Sequence, residues 1–366
     1  MKKIIFTTFS FCLLFSQTIF AQTFNSPESV EFDYVNNRYL IANRAASQIL
    51  ARAADGTLSV FATLNGQPYG IEIVGDTLYC CTSGSLRGVN LNTGVQIFNQ
   101  TIAAGAFLNG ITHDPAGNLY ITGFSNTKVY RFNTATRQFN VFVNNTSTTP
   151  NGIIYDAYDG VNPRLVLAGW GTPATIKSIS LADSSISLLV NTPFGSIDGI
   201  AKGKNGNFYI SCWSPSSTIQ RYDSTFANAP TAMVTTGLSS PADIFYNQLS
   251  DTLAVPFGSG SSGSVNYYFF GDVTSQKSNL NVEEINIYPN PTAGIINING
   301  INADLKNVNL NLYELGSGKQ VFSQFIANLN ENTSINLKSH QLSAGIYLLE
   351  LNSNDGIVSR KKLIIE

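Results

Sequence analysis

The sequence predicts an all-β chain, a six-bladed β-propeller followed by a small Ig-like β-sandwich. Two observations carry the propeller and one the sandwich. Six segments open alike at steps of 40 to 47 residues, and each runs through a turn into a second short apolar strand. Helical periodicity of useful length is absent. After the sixth segment the repeat stops, and alternating strands of a different spacing occupy the last 80 or so residues.

Taken in order, residues 1–21 read as a cleaved signal peptide. Lys2 and Lys3 form a basic start, Ile4 to Ile19 are mostly apolar, and Ala21 supplies the small residue before a cut at Gln22. The apolar run is too short for a membrane span, and no Cys follows it for lipidation. The full chain has 21 Lys and Arg against 23 Asp and Glu, a net charge of −2. Losing Lys2 and Lys3 makes the mature chain −4. With no basic run, no nucleic-acid partner is indicated, and no later segment is apolar enough to cross a bilayer. Of the four cysteines, removal of the leader leaves Cys80, Cys81 and Cys212, an odd count without metal-ligand spacing. They read as buried thiols, with the neighbours Cys80 and Cys81 on opposite faces of one strand.

Residues 22–271 hold the repeats. They open at Pro27-Glu28, Pro68-Tyr69, Leu108-Asn109, Pro150-Asn151, Ile197-Asp198 and Pro241-Ala242. Second strands follow, such as Leu119-Tyr120-Ile121-Thr122 and Phe208-Tyr209-Ile210-Ser211, then a third and a fourth. The sixth repeat lacks a fourth strand, and residues 22–25 are expected to supply it and close the ring. Residues 272–284 read as a linker. Residues 285–366 open with Tyr288-Pro289-Asn290-Pro291-Thr292-Ala293-Gly294, pass Leu342-Ser343-Ala344-Gly345-Ile346-Tyr347-Leu348, and end on Lys361-Lys362-Leu363-Ile364-Ile365-Glu366.

The first strand of a propeller blade lines the central channel, so the second residue of each opening faces the axis once per blade. Those residues are Glu28, Tyr69, Asn109, Asn151, Asp198 and Ala242. Two carboxylates and two amides around one point suit a hard cation such as Ca2+, which takes six to eight oxygens. Without His or Cys nearby, zinc and copper fit poorly. Asn-Gly at a repeat start also suits tight backbone geometry without any ligand. Glu28 and Asp198 in the same register are what point to a metal. Alternation sets Glu31 on the opposite side of its strand from Glu28, outside the ligand set. His113 is expected to be a packed or solvated strand-end residue. Asn43, Arg44, Thr82, Phe124, Trp170, Trp213 and Phe257 follow the second strands and should rim the mouth. Trp170 and Trp213 fall beside Asn151 and Asp198, where they either wall a substrate or pack between blades.

The spacing resembles NHL and senescence-marker (SMP-30)/gluconolactonase propellers. The order Glu28, Asn109, Asn151, Asp198 on the first, third, fourth and fifth blades resembles the calcium site of the lactonase and phosphotriesterase propellers. That resemblance implies a calcium-dependent hydrolase of lactones or esters. Asp198 would be the catalytic base or nucleophile. Glu28, Asn109 and Asn151 would complete the metal and substrate site, with Trp170 and Trp213 binding substrate. Three departures matter. Phe107 stands where gluconolactonases carry Arg two residues before the third-blade Asn, which disfavours a sugar-acid lactone. Gly199 follows Asp198 where paraoxonases have Asn, and their catalytic His has no clear counterpart. The competing reading is a non-catalytic surface propeller that binds a glycan or protein. The tail resembles a C-terminal sorting domain of the type IX secretion system. It implies passage through the periplasm, export by that machinery, removal of the tail, and release or attachment to the cell surface.

Overall fold

The computed structural model describes residues 22–158, 160–258, 262–270, 285–299, 305–314, 320–330, 333–340, 342–353 and 356–366. The leader of residues 1–21 and the linker of residues 272–284 lie outside them. The described chain is all-β, and its helical elements are two 3-10 turns, Arg44–Ala46 and Lys338–His340.

Residues 27–269 form six antiparallel sheets in succession, five of four strands and one of three. Their inner strands are Pro27–Asp33, Pro68–Val74, Leu108–His113, Thr149–Asp156, Gly195–Lys202 and Phe245–Asn247. Each sheet packs face to face on the next, and each pair shares an apolar cluster. Leu40, Ile49, Ile71 and Leu78 join the first two sheets. Val30, Ile41, Ala254 and Val265 join the last to the first. Middle strands therefore bury both faces and lose the usual polar alternation, as in Leu119-Tyr120-Ile121. Fully burying one such Leu or Ile contributes roughly 1.5–3 kcal/mol, which makes these strands the core. Outer strands such as Gln96–Thr101 stay half exposed. Cys80 enters the cluster between the first and second sheets and Cys81 the cluster between the second and third, as their adjacency predicts.

The sixth sheet has three strands among the described residues. Residues 22–25 do not add the fourth strand expected of them. They instead cap the first sheet. Asn25 N–H donates to Asn43 Oδ1, and Ala45 N–H donates to Asn25 O at 3.1 Å. Closure is made at the hub, where Asp243 N–H donates to Glu28 O at 2.9 Å and Ser29 Oγ donates to Asp243 Oδ2 at 2.8 Å.

A repeated irregularity shapes that hub. Pairing between inner and second strand breaks between Pro27 and Val30, Pro68 and Ile71, Leu108 and Ile111, Pro150 and Ile153, and Ile197 and Ile200. The axial residue and the one after it sit in each break, freed from the ladder. Bulges of this kind re-aim side chains. Hydroxyls from the second strands take up two of the released backbones. Thr122 Oγ1 accepts from Gly110 N at 2.8 Å and donates to Asn151 O at 2.9 Å. Ser211 Oγ accepts from Gly199 N and donates to Ala242 O, both at 2.7 Å. Each staple joins one sheet to the next. The glycines are required by this approach and not by a turn. A Cβ on Gly70 would stand 2.2 Å from Asn109 O, and one on Gly110 would stand 2.3 Å from Asn151 O.

Residues 285–366 form a three-stranded and a four-stranded sheet over one core that includes Ile296, Ile298, Leu310, Leu312, Leu349 and Leu363. The opening motif clasps the last strand. Asn290 Nδ2 donates to Lys362 O at 2.7 Å, Ile364 N–H donates to Asn290 Oδ1 at 2.9 Å, and Thr292 N–H donates to Ile364 O at 2.8 Å. The start and end of the tail are thus one structural unit.

Gly110→Ala is expected to destabilise the protein by about 1–3 kcal/mol through backbone overpacking. Gly171→Ala, where an added Cβ would meet Pro173 O at an ordinary 3.7 Å, should be near neutral. Urea denaturation of the two variants checks this.

Candidate functional site

The bulged starts of the inner strands bring three predicted residues into one hydrogen-bonded chain across three sheets. Asn109 Nδ2 donates to Asn151 Oδ1 at 2.5 Å, and Asn151 Nδ2 donates to Asp198 Oδ1 at 3.0 Å. All three are buried, at 5%, 2% and 5% exposure. Glu28 lies within electrostatic reach of Asp198 from the first sheet. Burial pushes the Asp198 carboxyl well above the usual range, and the charges of Glu28 and Asp243 add to the push. The Asn151 hydrogen bond and Arg44 oppose it. Burial also raises Glu28, while Arg44 pulls it down. The hub is therefore short of positive charge, and a cation placed there would stabilise both carboxylates.

Arg44 supplies part of that charge. Its Nε lies 3.0 Å from Glu28 Oε2, and its guanidinium sits 5.8 Å from the centre of the Tyr69 ring. Its position after the second strand marks it as a rim residue, but nothing in the sequence marks the pairing with Glu28. Asn43 and Thr82, also expected at the rim, are buried and serve structure. Asn43 caps residues 23–25, and Thr82 Oγ1 accepts from Arg87 Nε.

Around this mouth runs a chain of touching rings. Tyr69 meets Phe107 at 4.5 Å, Phe107 meets Phe124 at 5.3 Å, Phe124 meets Trp170 at 5.7 Å, and Trp170 meets Trp213 at 4.9 Å. Trp213 Nε1 donates to Pro241 O at 2.8 Å, which carries the arc to the sixth sheet. Trp170 and Trp213 thus pack on one another, and Trp213 is still 38% exposed. Phe124, Trp170 and Trp213 are expected rim residues, while Tyr69 and Phe107 join the arc from the inner-strand openings.

A second group of acids corrects an expectation. Glu31 does not turn away from the channel. It lines a cavity of about 1060 Å³ together with Glu72, His113 and Asp243, and Tyr313 and Glu350 of the C-terminal sandwich line it as well. Strict alternation fails here because the register break before Val30 interrupts it. His113 is packed, with Nδ1 2.5 Å from Glu72 Oε1. Burial, then the charges of Glu72 and Glu28, push Asp243 up to about 7.

No three His, Cys, Asp or Glu side chains form a metal-holding group among the described residues. The upper hub reaches four oxygen-bearing side chains only when Asn109 and Asn151 are counted with the two carboxylates. Among the described residues no helix is long and apolar enough to cross a membrane.

Residues 286–366 match the family described as secretion system C-terminal sorting domain. The chain carries that domain. Its presence indicates type IX secretion, to the cell surface or beyond, and a working contact with that machinery. Solved structures resemble the rest. A gluconolactonase from Xanthomonas campestris is 15% identical at a TM-score of 0.56, over 67% of this chain and 86% of that one. Regucalcin from Agrobacterium tumefaciens, a calcium-binding protein, is 17% identical at 0.53, over 64% and 83%. A luciferin-regenerating enzyme is 13% identical at 0.54, over 67% and 91%. At these identities the likeness establishes a propeller-like fold alone. No curated protein matches the sequence.

Asp243 has a consequence for stability. An unfolded Asp titrates near 3.9, so a folded value of about 7 favours the neutral acid. Its stabilising contribution is full below about pH 4 and is lost as pH rises through about 7. Urea midpoints in chelator should fall across that window, and Asp243→Asn should flatten the fall.

Proposed function

We propose that the protein is an exported six-bladed propeller whose hub holds Ca2+ and hydrolyses a lactone or ester at the upper mouth. The observation that carries this reading is the Asn109–Asn151–Asp198 hydrogen-bond chain with Glu28 beside it. It gathers two carboxylates and two amides from four sheets. The donor set fits a hard cation, since it is all oxygen and Arg44 compensates only part of its charge. Glu28, Asn109, Asn151 and Asp198 would hold the ion. When bound, it would polarise the carbonyl under attack and stabilise the charge that develops on its oxygen.

The chain's own groups divide the remaining work. Asp198 is the base or nucleophile, and its carboxylate is oriented by the Asn151 amide. Asn109 fixes the Asn151 amide in turn, and its own side chain borders the substrate. The aromatic arc, with Trp170 and Trp213 at its end, offers an apolar wall that keeps water from the mouth. Phe107 belongs to that wall, which accords with an apolar substrate and not a polyhydroxylated acid.

One observation favours the alternative, a propeller that binds a glycan or protein partner without turnover. Trp213 is exposed while anchored through its indole N–H, an arrangement suited to stacking on a ligand. A glycan array or pull-down with the Trp213→Ala variant separates the two. Binding lost in the variant, with no turnover by the parent protein, would support the alternative.

Asp198→Asn is expected to lower kcat/KM for a responsive lactone or aryl ester by about 10²–10⁴-fold. Its circular dichroism and urea midpoint should stay close to those of the parent protein. Chelation should abolish turnover, and added Ca2+ should restore it. Turnover that survives both chelation and the substitution would exclude this mechanism.

A further inference from the structure

Arg44 sets this hub apart from a plain ring of oxygen ligands. Its backbone is pinned, because Arg44 N–H donates to Ser26 O at 3.2 Å and Ala45 N–H donates to Asn25 O at 3.1 Å. What can move is the side chain. The ion pair to Glu28 is close, at 3.0 Å, yet Nε lacks an aligned hydrogen bond. Charge holds the contact, without the bidentate fork that makes an Arg–carboxylate pair strong. The Arg44 side chain is 30% exposed against 16% for Glu28, so it covers the carboxylate from the solvent side. The Tyr69 ring lies beside it and offers a cation–π resting place.

The charges also favour exchange. One guanidinium faces Glu28 and Asp198 and leaves one carboxylate uncompensated. A divalent cation balances both. Removing Arg44 with no cation at hand would leave Glu28 buried and unpaired, which is costly. We propose that Arg44 is a built-in counter-ion that competes with the divalent cation for Glu28. The hub then alternates between an arginine-latched and a cation-loaded state. The cation-loaded state rests on the calcium reading above. The latch keeps the empty ring stable and weakens cation affinity, so loading requires a calcium-rich surrounding.

The test uses the full chain, with calcium binding measured by titration calorimetry and stability by urea denaturation in chelator. Arg44→Gln should bind Ca2+ roughly five- to fifty-fold more tightly than the parent protein. In chelator it should unfold at lower urea, and Ca2+ should return it to the parent midpoint. Arg44→Lys, which keeps the charge, should fall between the two and covers the case in which Arg44→Gln is too unstable to purify. Equal Ca2+ affinity in the parent and both variants would overturn the competition while leaving the calcium reading intact. Ca2+ binding by none of the three would end both, leaving a static ion pair.

Discussion

The close approach of neighbouring inner strands is the constraint on which the rest of the propeller depends. At Gly70, Gly110, Gly152 and Gly199 a backbone atom of the next sheet lies where a Cβ would go. Only glycine permits that distance. The break in pairing at the same points frees two residues per sheet, and hydroxyls such as those of Thr122 and Ser211 take up the released groups in two sheets. The residue before each glycine is thereby set against its counterpart in the next sheet. Asn109, Asn151 and Asp198 meet because their backbones have first been brought together.

This arrangement links stability to chemistry. A tight hub forces oxygen-bearing side chains out of water, and burial is the leading cause of the raised pKa of Asp198 and of Asp243. Such groups either take up protons, pair with a cation or coordinate one. Arg44 answers part of that need for Glu28. Asp198 has the Asn151 amide as its one side-chain hydrogen-bond partner among the described residues. Burial likewise pushes Glu31 of the first sheet well above the usual carboxylate range, so the stress falls on both ends of the hub.

Much of this was legible in the sequence, and the gaps have physical causes. The six openings mark the inner strands because a repeated packing problem demands a repeated solution. Cys80 and Cys81 were assigned to opposite faces correctly because the second strand is regular. The tail motifs were readable as a set, and the structure joins them, since Asn290 and Thr292 bind the final strand. Glu31 was misplaced because alternation assumes an unbroken ladder, and the break before Val30 has no mark in one sequence beyond the residues around it. The Glu28–Arg44 pair joins a strand start to a 3-10 turn, and no periodicity reports such a contact. Residues 22–25 were expected to complete the sixth sheet because ring closure is commonly achieved by a shared sheet. Here Asn43 draws them to the first sheet instead.

The three-stranded sixth sheet has a mechanical corollary. The junction between the last and first sheets is a seam held by Ser29, Asp243, the Ser26–Ser262 backbone contact and one apolar cluster, with no shared strand among the described residues to zip it. Pulled or heated, the circle has a place to part, and it is where the first and sixth sheets meet. The seam also runs past Glu28, so its rupture would break the Asp243–Glu28 backbone contact while the other five junctions still held.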